Sequence, residues 1–173
     1  MDVRAKQRLL TLGVSSALLL LGWRGFAEDQ AKKVAAQIAD YTLPSGYSEQ
    51  MGLDMFIEKM VVIAPTKQSG LTITLLQMPA TTSRQQMEQQ MRQSMQNQFG
   101  QLPGAMKNAG EHPVTIKGEK VTLTLGESSS TSYTLRQATG FFVGKGGLVM
   151  LMLMGEVENW NWTLVENFCA SIR

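Results

Sequence analysis

Cysteine and histidine each occur once in these 173 residues, as Cys169 and His112. A single cysteine excludes an intrachain disulfide and any cysteine-based zinc cluster. A single imidazole excludes the multi-histidine centres of zinc and copper enzymes. No Gly-x-Ser-x-Gly occurs, so there is no nucleophile elbow to pair with His112. Gly144-Lys145-Gly146-Gly147 lacks the spacing of a phosphate-cradling loop and sits between apolar strand-like runs, so it reads as a hairpin turn. The acids Asp54, Glu58 and Glu111 are dispersed along the chain and form no pair that would support a hydrolase. No catalytic residue, metal site or cofactor motif is assigned.

Charge is also sparse. Charged residues make up 17% of the chain, and the formal net charge is +2. Arg4, Lys6, Arg8 and Arg24 lie in the first 27 residues, opposed there only by Asp2, which leaves 12 basic and 13 acidic residues, about −1, for the rest. A near-neutral domain without a basic stripe carries no electrostatic footprint for nucleic acid, and that class of partner is set aside. With 43% hydrophobic residues and only five prolines, the composition is that of a folded globular protein with one core.

What the chain does have is a cationic start, Met1 to Arg8, followed by 15 uncharged, mostly apolar residues from Leu9 to Trp23. That is the order of a secretory signal. Two readings stand for residues 1–27. Cleavage after Ala27, with Gly25 and Ala27 as the small residues, gives a secreted domain; an uncleaved anchor, with Arg24 snorkelling at the interface, gives a membrane-bound one. Both place the domain outside the cytoplasm. No cysteine follows the apolar run, which excludes bacterial lipidation.

Residues 28–40 carry Ala31, Val34, Ala35 and Ile38 at helical spacing, with acids in what reads as the first turn, and form a juxtamembrane helix leading to a globular domain over 41–173. Strands are predicted over 48–55, 56–64 and 71–78, the last two joined by a hairpin loop at 66–70. A helix over 84–99 repeats Met87, Met91 and Met95 every four residues, and a loop spans 100–110. Strands over 112–117 and 119–126 flank Gly118; a polar turn covers 127–131; strands over 132–143 and 148–154 flank the glycine-rich turn; a helix over 159–172 closes the chain. The run Leu148 to Met154 is apolar at every position, as befits a central strand. The expected fold is α+β: a largely antiparallel central sheet of about six to seven strands flanked by helices, preceded by an N-terminal membrane-targeting helix.

The opening Tyr41-x-Leu43-Pro44-x-Gly46-Tyr47, the strand LTITLLQM followed by a helix, the hairpin ending GKGGLVMLML, and the tryptophan-containing last helix with Ser171-Ile172 resemble the PsbP-like superfamily over 41–173. That superfamily takes in the extrinsic photosystem protein PsbP, DcrB-type periplasmic lipoproteins and Ran-binding Mog proteins. The resemblance implies an antiparallel sheet flanked by helices in an accessory or binding module without a shared catalytic motif. The absent lipidation cysteine is a departure from the DcrB type.

Twelve methionines are many for this length. Met150, Met152 and Met154 share one face of their strand and pair naturally with the Met87, Met91 and Met95 stripe as adaptable packing; copper binding is the less economical account. The same stripe is a candidate contact for a partner helix or lipid. Trp160 and Trp162 lie two apart and so cannot both face the core squarely, which makes one of them, Trp160, a candidate for an exposed contact. The preferred function is a non-enzymatic, membrane-associated accessory domain that contacts a protein partner, possibly a membrane complex. The alternative is an extracytoplasmic carrier or sensor holding a small apolar ligand between sheet and helix.

Overall fold

The computed structural model describes residues 24–56, 58–67, 70–86, 89, 106–130 and 132–173. Helix α1 (Arg24–Ile38) is followed by strands β1 (Tyr47–Asp54), β2 (Lys59–Pro65) and β3 (Thr72–Gln77). Strands β4 (Lys107–Ile116), β5 (Glu119–Ser129), β6 (Thr134–Val143) and β7 (Leu148–Glu156) come next, then a short 3-10 turn (Val157–Asn159) and helix α2 (Trp162–Ser171). The strands form one seven-stranded sheet in the order β1-β2-β3-β7-β6-β5-β4, antiparallel at every junction. A sheet-dominated α+β fold is therefore what the sequence encodes. The expected N-terminal membrane helix and the methionines Met87, Met91 and Met95 lie outside the described residues. Among the described residues no helix is long and apolar enough to cross a membrane.

The alternation of side chains along a strand divides the sheet into two unlike faces. One carries Val61, Ile63, Ile73, Leu75, Leu123, Leu151 and Leu153, all fully buried beneath the helices. Helix α1 adds Val34, Ala35 and Ile38 to this core, and α2 adds Val165, Phe168 and Cys169. The segment expected only to lead up to the domain thus packs as a layer of it. Among the described residues the turn 24–27 of α1 holds no acid. The C-terminal end of α1 is held by Lys145 of the glycine-rich turn. The Lys145 backbone N–H donates to Ile38 O at 2.9 Å, and Nζ donates to Ala36 O at 2.9 Å and to Asp40 Oδ1 at 2.6 Å. That turn closes a hairpin and caps a helix, as its sequence and its basic residue permit.

The opposite face is built from rows that run across the strands. Leu53, Met60, Leu76, Met150 and Phe141 form one row, and Met51, Val62, Thr74, Met152 and Thr139 the next. Phe141, Met78 and Leu148 form a small second core there, with Leu76 and Met150 packed against it. β7 sits in the middle of the sheet, as its apolar run requires, with the helix face fully closed and Met154 exposed on the other.

Several boundaries differ from expectation. β2 begins at Lys59, after Met55 N–H donates to Glu58 O at 2.9 Å. β4 begins at Lys107, so residues 107–110 are strand and not loop; a bulge between Asn108 and Gly110 absorbs the glycine. Glu127 to Ser129, read as a polar turn, continue β5 because Glu127 pairs with Arg136 of β6. The last helix starts at Trp162, where the Asn161 side chain accepts the Leu164 N–H at 3.0 Å and sets the N-cap.

Candidate protein-binding face around the C-terminal helix

Helix α2 buries Val165, Phe168 and Cys169, and its two flanks are bordered by different neighbours. On one side runs the segment 40–45, fixed to the helix end by Arg173 N–H donating to Asp40 O at 2.8 Å and Thr42 N–H donating to Ser171 Oγ at 3.0 Å. Between this segment and the helix lies an open groove of about 450 Å³. Leu43, Pro44, Leu164 and Phe168 supply its apolar lining, and Asn161 and Asn167 stand among its polar residues. No lining residue is charged, and none comes from a strand, so the groove lies outside the sheet–helix core.

On the other side stands a cluster of aromatic and ionisable side chains. His112 of β4 stacks on Trp162 with ring centroids 3.8 Å apart and an interplanar angle of 20°, and its Nε2 hydrogen-bonds Glu166 Oε1 at 3.0 Å. Trp160 meets Trp162 edge-on at 5.4 Å. The Arg136 guanidinium lies 5.5 Å from the Trp160 ring centre and 5.9 Å from that of Trp162, and both Nε and Nη2 donate to Glu127 Oε1, at 2.8 and 2.6 Å. The half-buried setting and the two ring faces strengthen the cationic contact.

The expectation was that two tryptophans two residues apart cannot both face the core squarely; both are partly buried and packed against it. That expectation assumed a shared helix, whereas Trp160 precedes α2 in extended conformation. Its indole N–H is buried and finds no hydrogen-bond partner among the described residues. Trp160 is accordingly held in place by packing, with part of its surface open. His112, expected at the start of a strand, is a bracket between the edge strand and α2. The sequence signal for this pairing was weak: His112 and Glu166 are 54 residues apart, and only the strand order brings them together.

These polar groups are engaged with one another. Among the described residues no group of three or more His, Cys, Asp or Glu side chains stands together to hold a metal ion. Cys169 is fully buried, and burial followed by the nearby Glu166 carboxylate pushes its thiol up to about 12 from an ordinary 9.0. Burial, then the Glu49 carboxylate that accepts its hydroxyl at 3.2 Å, holds the Tyr41 phenol above the usual tyrosine range.

Both are acids with raised folded-state pKa, so their contribution to stability is complete below the unfolded value and is lost as pH rises. For Cys169 the window runs from pH 9.0 to about 12, and for Tyr41 it opens at pH 10.0. Urea unfolding is expected to show stability falling from pH 9, at up to ~1.4 kcal/mol per pH unit per group. In Cys169→Ala the decline is expected to begin only near pH 10; an unchanged onset would show that the thiol is not the titrating group.

No family model and no curated protein sequence matches this chain.

Proposed function

We propose that this chain is a non-enzymatic, extracytoplasmic accessory domain of PsbP-like character, tethered to the membrane by its N-terminal segment and contacting a protein partner through the face around α2. The observation that carries the proposal is the uncharged groove between residues 42–45 and α2, with half-buried Trp160 and Trp162 on the opposite flank of the helix. Tryptophan and arginine are the residues in which interfaces concentrate their energy, and they act from rigid, packed positions such as those of Trp160 and Arg136. The apolar floor and amide rims fit an uncharged extended segment of the partner, with Asn161 and Asn167 placed to meet backbone groups. The cationic start and apolar run before Arg24 support the tether, and the paired state of His112, Arg136 and Glu127 supports binding over catalysis.

The test is a mild-detergent pull-down of the tagged full-length protein from its native membranes, with Leu164→Asp and Trp160→Ala beside it. A charge in the groove or a lost indole is expected to reduce recovery of a stoichiometric membrane partner by about tenfold or more, the scale of a hot spot. Undiminished recovery with both folded variants would move the contact elsewhere. Copurification of a small molecule in place of any protein would sink the reading.

A further inference from the structure

The strand order leaves one long connection to be routed. Between β3 and β4 lie β7, β6 and β5, antiparallel at each junction, so β3 and β4 run parallel and the chain must return the full length of the sheet to join them. It leaves β3 at the end marked by the glycine-rich turn, where Met78 N–H donates to Leu148 O at 2.8 Å. It enters β4 at the other end, where Lys107 pairs with Glu127 and Glu127 with Arg136. The helix face is closed to this crossing: Leu151, Leu153 and Ala138, its central residues, are fully buried in the core that α1 and α2 complete.

Both ends of the connection stand on the other face. Met78 is 8% exposed and packs with Phe141 and Leu148 in the second core. Met106, just ahead of β4, lies over Gly126, where an added Cβ would stand 3.2 Å from the Met106 sulfur and 3.6 Å from its Cβ. Gly126 faces the same way as Gln137 and Met154, its neighbours across β6 and β7. Between these two points Thr139 and Phe141 are 2 and 3% exposed, although neither α1 nor α2 stands on their side of the sheet.

We infer that the open face of the sheet is the docking surface for the chain's own residues 84–99, with Met87, Met91 and Met95 laid against Leu76, Met150 and Met152. From Arg84 to Gln98 the methionines at 87, 91 and 95 are the sole apolar residues, and Phe99 follows. The segment thus has one apolar side to bury, and the face it must cross is apolar and half-buried at Leu76, Met150 and Met152. Thioethers suit such a contact because they fill irregular gaps between layers. The length also fits. Four strand spacings and some ten residues of strand put the crossing on the order of 35–40 Å, a distance that residues 79–105 cover with a helix over 84–99 and extended chain at either end. A sheet face occupied in this way is closed to other molecules, and contact with a partner falls to the surface around α2.

The test follows methionine oxidation in the full-length wild-type chain, held in mild detergent and treated with dilute hydrogen peroxide. Met55, at 49% exposure, is the internal reference. Met91 and Met95 are expected to reach the sulfoxide roughly tenfold more slowly than Met55, and at the same rate once urea has unfolded the chain, since oxidation follows exposure. Equal rates in the folded chain would overturn the inference. A short thiol cross-linker then reads which face is covered, with Met91→Cys paired in turn with Met152→Cys on the open face and with Lys33→Cys on the exposed side of α1. The native Cys169 is 0% exposed and does not react. Linkage of 91 to 152 within one chain is the expected result. Linkage to 33 would place the stripe on the helix side, and linkage to 152 between two chains alone would place a second copy on the face; either overturns the inference.

Discussion

Replacing Gly52 with alanine is expected to remove about 2–4 kcal/mol of stability, at or beyond the upper end of what overpacking a core costs. The added Cβ would stand 2.6 Å from the Ala31 Cα, 3.2 Å from the Ala31 nitrogen and 3.1 Å from the Val34 Cβ. The closest of these atoms is backbone, so no side-chain rotation relieves the clash and α1 must lift from β1. Lifting it uncovers Val34, Ala35 and Ile38, which lie between 0 and 4% exposed. A guanidinium or urea titration with the wild-type slope and a lowered midpoint is the predicted signature. A loss below about 0.5 kcal/mol, the range of surface substitutions, would mean that α1 does not press on the edge strand as described.

Phe168→Ala is expected to cost about 3–5 kcal/mol, the usual range for emptying a phenylalanine site in a core. The ring is 1% exposed, lies 5.4 Å from Tyr41 at a tilt of 59°, and forms part of the groove between residues 42–45 and α2. Its removal takes away both a core wall and the support of the proposed partner site. Denaturant unfolding reads the first effect, and the pull-down repeated at low temperature, where the variant stays folded, reads the second. A variant that kept wild-type stability would place α2 off the sheet.

The order of elements was legible because each strand carries its own pattern: LTITLLQM and LVMLMLM read as buried strands, and Gly118 marks a turn that Lys117 and Gly118 form at φ +54 and +78. The break between β1 and β2 was not legible, since Phe56, which sits at φ +64, is not among the residues that favour positive φ, and an apolar reading runs straight through it. The length of β4 was hidden for a related reason: Gly110 and Asn108 look like loop residues, yet a bulge takes them into the ladder. Trp160 was singled out from sequence and stands in the aromatic cluster. Arg136 was not, and His112 was weighed only as a lone imidazole, because their meeting depends on strand order and not on local spacing. The groove beside α2 had no sequence signature at all, since it arises where two segments more than 100 residues apart are pinned together by Thr42 and Ser171.

The strand order also governs how this chain reaches its fold. β1, β2 and β3 make a meander that α1 covers, and β4 to β7 make a second meander whose edge strand β4 is covered by α2. Within each half every pairing joins neighbours in sequence, and one strand pairing joins the halves, where Leu75 of β3 meets Leu151 of β7 across 76 residues. Closing that distance carries most of the loop entropy, so two locally folded halves that dock late, along a strip of fully buried leucine and isoleucine, are the economical route to the native state. Until that docking occurs, the flanks of β3 and β7 are two open, uncharged strand edges, and the moment of greatest exposure to misassociation falls at the centre of the finished sheet, not at its rims.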